Sequence, residues 1–147
     1  MKAILLCAFT LALLLPLALW AESYNIEGQW YNAEKTSKIQ IYKTTSGSFA
    51  GKIVWLKEPN NEAGKPKVDD KNPDKDLRSR PLLNLVIVKG LTAKGNNKFD
   101  NGTIYDPKSG NTYSSKAELT GPNTMKLRGF IGISLVGRTE VWTRANK

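Results

Sequence analysis

The densest run of reactive side chains is DDKNPDKDLRSRPLL, residues 69–83, which holds four aspartates, two lysines and two arginines. Three chemistries are open to it. The first is cation binding, because Asp70, Asn72, Asp74 and Asp76 stand at alternate positions, superficially as in a calcium loop. That reading fails on spacing. Lys75 occupies the position where such a loop turns on glycine, Pro81 the position of its closing glutamate, and Lys71 and Lys75 interleave the acids. Pro73 further restricts the backbone. No metal is expected. The second chemistry is anion binding. Arg78 and Arg80 face the same way on an extended segment, and with Arg128 and Lys52 they could form a fork for a carboxylate or phosphate at a barrel mouth. Trp55, Tyr105 and Tyr113 would supply flat faces there for a sugar or an apolar ring. The third is structural, and it leads. Asn72-Pro73-Asp74 reads as a turn, Arg78 and Arg80 clamp Asp69, Asp70 or Asp106, and Leu77 and Leu82 anchor the segment on apolar strands.

Catalysis has little to work with. Cys7 is the only cysteine and there is no histidine, so histidine acid–base chemistry and the usual zinc sites are excluded. A carboxylate pair could cleave a glycoside, but Asp69 and Asp70 are adjacent and would point to opposite sides of an extended chain. Asp106, before Pro107, reads as a turn residue, with Gly110 closing a hairpin in which Tyr105 and Tyr113 could pair. No catalytic residue and no cofactor are expected.

The N-terminus places the work outside the cytoplasm. Residues 1–21 have one lysine, an apolar run interrupted by Pro16, and Ala-Leu-Trp-Ala before the first acid, the pattern of a cleaved secretory signal. Residues 22–147 then form a single domain, expected in the periplasm or secreted, with no membrane span after cleavage. Without Lys2, 21 basic residues face 13 acids, a net of +8. That field favours anionic partners such as envelope polymers, lipid head groups or acidic small molecules. Nucleic acid is not expected, because recognition helices and interleaved stacking aromatics are missing.

Turn residues cut the chain into about eight short strands: 27–33, 37–44, 48–56, 82–91, 98–106, 111–119, 124–131 and 134–142. Such a chain is all-β, an antiparallel meander closing as a barrel or curling as a sandwich, with one long charged loop at 57–81. Any helix is a turn or two within that loop. Alternation sets Ile39 and Ile41 against Gln40 and Tyr42, and Met125 and Leu127 against Lys126 and Arg128. IVWL (53–56) and LVIV (85–88) are apolar on both faces, so a second layer should cover them. The loop, or a partner subunit, is the expected cover; a monomer or weak oligomer is anticipated.

GQW at 28–30, GKIVWL at 51–56, DDKNPDKDLRSRPL at 69–82, GTIYDPKSGNTY at 102–113, LRGFIG at 127–132 and GRTEVWTR at 137–144 together resemble the bacterial exported proteins grouped as domain of unknown function 2147. Leu83-Asn84 departs mildly from that family, where leucine or methionine followed by glycine is common. The resemblance implies a small exported β-barrel and no established activity. A second resemblance is to lipocalin and fatty-acid-binding barrels. Gly28 and Trp30 match the Gly-x-Trp of their first strand, and Arg138 or Arg144, flanking Trp142, would supply the arginine that packs over that tryptophan. The leading expectation is a non-catalytic, lipocalin-like carrier of a small amphipathic or anionic ligand. An envelope interaction protein with a filled barrel docking on anionic polymer is the alternative, and a carboxylate-dependent hydrolase the third. A cavity or a filled core separates the first two.

Overall fold

The structure, a computed structural model, describes residues 21–145, so the expected signal segment lies outside the described residues apart from Ala21. Eight strands follow one another: β1 (Gly28–Tyr31), β2 (Ser37–Lys43), β3 (Phe49–Leu56), β4 (Val86–Gly95), β5 (Lys98–Asp106), β6 (Asn111–Gly121), β7 (Thr124–Phe130) and β8 (Gly137–Arg144). Each pairs antiparallel with its sequence neighbour, and β8 returns to β1 through Trp30 opposite Arg144 and Tyr31 opposite Thr143, closing the barrel. The helical content is one 3-10 turn, Lys75–Leu77, inside the long loop. No helix among the described residues is long and apolar enough to cross a membrane.

Turn chemistry dictates the meander. Asn96 and Asn97 both take positive φ, 52° and 61°, which a tight two-residue hairpin between right-twisted strands requires. Alternation then sends Ile39, Ile41, Met125 and Leu127 inward, where all four are buried. Several strand ends differ from the sequence reading, most of all at β4, which runs on to Gly95 past Leu91, and at the starts of β4 and β8. β4 begins at Val86 instead of Leu82, because Asn84 turns the chain at φ 68°. β8 begins at Gly137 instead of Ser134, because Arg128 captures the carbonyls of Ser134 and Leu135 and holds them in a turn.

In a meander, successive turns alternate between the two ends. The β1–β2, β5–β6 and β7–β8 turns therefore share one end with the long 57–85 connection. The other end is plugged. Trp30 is fully buried and donates its indole N–H to Ile26 O at 2.8 Å. The Arg144 guanidinium stacks 4.2 Å from the Trp30 ring and donates to the carbonyls of Asn25, Glu27 and Pro122. Gly28, at φ 126°, makes this possible: a Cβ there would stand 2.7 Å from Arg144 Nη1. The segment before β1 crosses this end, tied through Tyr24 N to Asn97 Oδ1 and Asn97 Nδ2 to Glu22 O. Above the plug, Ile41, Leu91, Phe99, Leu119 and Met125 fill the lower barrel.

Candidate functional site

The upper barrel is hollow. A cavity of about 850 Å³ opens at the end opposite the plug. Its walls are inward positions of the strands, among them Ile39, Ile53, Ile87, Ile104, Leu127 and Trp142. Gly129 leaves room on one wall: a Cβ there would touch Ile104 and Tyr113 at ordinary distances of 3.4 and 3.6 Å. Size and apolar walls match what a drug-sized organic molecule requires.

Charges ring the mouth, largely in pairs. Lys108 on the β5–β6 turn bonds Glu34 on the β1–β2 turn at 2.8 Å, joining turns that lie on opposite sides of the barrel in strand order. That bond lowers the Glu34 carboxyl below its usual range and raises the Lys108 ammonium above its own. Arg138 bonds Glu140 at 2.8 Å, and Glu140 also accepts from the buried Trp142 indole N–H at 3.2 Å. Lys67 and Glu58 of the long connection approach to 3.6 Å. Lys57, beside them on the lining, has no ion-pair partner among the described residues.

The charged loop is built around one buried carboxylate. Asp69 is fully buried and accepts from Tyr105 Oη at 2.5 Å, Asn72 Nδ2 at 2.8 Å, and Arg80 Nε and Nη2 at 2.9 and 2.8 Å. Burial first, and then this bond, push the Tyr105 phenol up to about 12. Arg78 holds Asn72 O at 2.7 Å, and Asn72 Oδ1 accepts from Asp74 N across Pro73. Asp74 caps the 3-10 turn. Lys71 rests on Gly110 so closely that a Cβ at Gly110 would stand 2.0 Å from Lys71 O. Leu82 packs against the core, whereas Leu77 is exposed, so only one of the two anchoring leucines serves.

The anion fork drawn from the sequence does not assemble. Arg80 is tied to Asp69 and Arg78 to a loop carbonyl. Arg128 braces the β7–β8 turn from the outer face, and Lys52 lies over Tyr42, 6.0 Å from its ring centre. Trp55 is outside too, edge-on to Tyr31 with Lys38 5.5 Å from its ring centre. Tyr105 and Tyr113 do line the cavity but do not pair, since the register sets Tyr113 opposite Ile104 and Tyr105 opposite Thr112. Asp106 acts as the turn residue, accepting from Lys108 N and Ser109 Oγ. Asp70 is exposed. Of the two arginines considered for the tryptophan, Arg144 takes that place and Arg138 stands at the mouth. Among the described residues no three potential metal-ligating side chains converge. Sequence reading missed Lys57, Lys67 and Lys108 at the mouth; the parity of the meander turns was the signal that places them.

A family model described as "Uncharacterized protein conserved in bacteria (DUF2147)" matches residues 28–144. The chain belongs to that family. The match runs from the glycine that admits Arg144 to Arg144 itself, and so spans the plug, the loop and the cavity walls. Among solved structures, the barrel is similar to protein HP1028 from the human pathogen Helicobacter pylori, described as belonging to the lipocalin family. The TM-score is 0.75 at 19% identity, over 85% of this chain and 86% of that one. At that identity the likeness is one of fold, which is lipocalin-like. No curated protein matches the chain by sequence.

Proposed function

We propose that this family member is an exported, non-catalytic carrier that holds one small amphipathic molecule in the upper barrel. The observation that supports this reading is the cavity of about 850 Å³ above a filled lower barrel. A barrel whose only task was to dock on envelope polymer would have no use for that apolar volume. The apolar body of the ligand would lie against Ile53, Ile87, Ile104 and Leu127, with Trp142 beneath. Its head group would stay at the mouth, where Lys57 is without an ion-pair partner among the described residues and Lys67 is only loosely engaged. The mouth carries as many carboxylates as cations (Glu34, Glu58, Asp106 and Glu140 against Lys57, Lys67, Lys108 and Arg138), which favours an amphiphile of modest charge over a compact polyanion. The 1–21 signal supports delivery across a membrane before folding.

Native mass spectrometry of the protein purified gently from its own envelope tests the proposal. A small molecule bound one to one and released on denaturation is the expected result. A clean apo mass, under conditions that preserve known lipocalin complexes, would move the assignment to a polymer-docking protein.

A further inference from the structure

The β7–β8 turn is the most exposed apolar feature among the described residues. Ile131, Ile133, Leu135 and Val136 are between 60% and 85% exposed, all within residues 131–136. Scattered apolar residues on a surface are ordinary, but four aliphatic side chains on one hairpin tip form a patch that calls for a partner. The tip's backbone is also secured from within. Arg128 donates to Ser134 O at 2.6 Å and Leu135 O at 3.3 Å, Ile131 N to Val136 O at 3.0 Å, and Val136 N to Ile133 O at 3.0 Å. A segment that meets hydrocarbon needs its peptide groups already paired in this way. Cations stand just behind it. Lys116 is in register with Arg128 on the neighbouring strand, Arg138 and Lys108 lie at the rim, and residues 22–147 carry 21 basic against 13 acidic residues, a net of +8. Ile131 and Val136 also line the cavity, so the tip borders the barrel's mouth.

We propose that the protein docks on an anionic lipid bilayer through the β7–β8 turn, with Ile133 and Leu135 entering the boundary between head groups and acyl chains. Lys116 and Arg138 then face the lipid phosphates while Arg128 braces the turn, and the cavity mouth opens toward the membrane. A second copy of the chain is a poorer occupant, because a stable interface takes about 20–30 residues a side and the tip offers six. A soluble anionic polymer would satisfy the cations and leave the aliphatic side chains in water. A bilayer satisfies both. Docking requires no molecule in the cavity, so this inference goes beyond the carrier reading and does not stand or fall with it.

The test uses protein purified as the cell processes it, its N-terminus fixed by intact mass, and co-sedimentation with vesicles. Vesicles of phosphatidylglycerol and phosphatidylcholine should retain the wild type, and vesicles of phosphatidylcholine alone should retain it more weakly. Added salt should reduce the difference. The double substitution Ile133→Asp, Leu135→Asp should weaken binding at least about tenfold, since even one buried aliphatic side chain is worth that much. Its melting temperature should be unchanged, because both positions are exposed. Leu135→Trp should add an emission that lipids brominated on their acyl chains quench. Three results overturn the proposal: no retention of the wild type, equal retention of the double variant, or self-association that the double substitution abolishes without vesicle binding.

Discussion

Tyr105 Oη donates to Asp69 Oδ1 at 2.5 Å, joining residues 36 apart in sequence and fastening the charged loop to strand β5 of the barrel. The other Asp69 oxygen receives Asn72 and both donors of Arg80, so one carboxylate sets the geometry of the whole segment. Four aspartates lie in this run, yet only Asp69 is buried.

Asp69→Ala should therefore destabilise the fold by about 3 kcal/mol, the lower end of what breaking a buried ion pair costs, because Arg80 is 38% exposed and regains water. The neighbouring Asp70→Ala should stay within about 0.5 kcal/mol. Urea unfolding of the two variants side by side checks the contrast. Equal effects would show that the loop is not organised around Asp69.

The burial of Tyr105, and then its bond to Asp69, predict an alkaline signature. The Tyr105 phenol titrates at about 12 in the folded protein against 10.0 for a free tyrosine. A raised folded value means that the protonated phenol stabilises the fold below pH 10, and that this contribution is lost as pH climbs toward 12. Tyr105→Phe should flatten the decline in stability across that window, measured by denaturation at stepped pH. A slope unchanged from wild type would contradict the assignment.

Gly110 tests how the loop is seated. A Cβ there collides with Lys71 O and φ is 75°, so Gly110→Ala must lift the loop from the β5–β6 turn. Limited proteolysis within 57–81 should quicken by at least about tenfold, following the opened population. Gly64→Ala also sits at positive φ but meets no atom within 4 Å, and it should change the cleavage rate far less.

Much of this was legible from sequence because the signals were local. Ser46-Gly47 and Asp106-Pro107 mark hairpins by their own dihedral preferences. The alternation of Ile39 and Ile41, or Met125 and Leu127, fixes which way each strand faces. That same alternation already put Arg128 outside, opposite Leu127, so drawing it into the fork at the barrel mouth conflicted with the strand's own pattern. Local signals could not show that Asp69, not Asp70, is the buried carboxylate, because that choice depends on Tyr105, a residue 36 positions away. The mouth cations were hidden for a related reason. Lys57, Lys67 and Lys108 lie on connections, and the closure of the barrel brings them together.

The carrier account rests on the upper cavity, and its most direct test is titration of the wild type and Gly129→Leu with a dansyl-labelled fatty acid. The leucine grows from a position with room for Cβ into the space between Ile104 and Tyr113, so the barrel should keep its fold while losing volume. The account predicts saturable one-to-one binding with a blue-shifted emission in the wild type, weakened at least about tenfold in the variant. Equal binding by the two proteins, or none by the wild type, would contradict it.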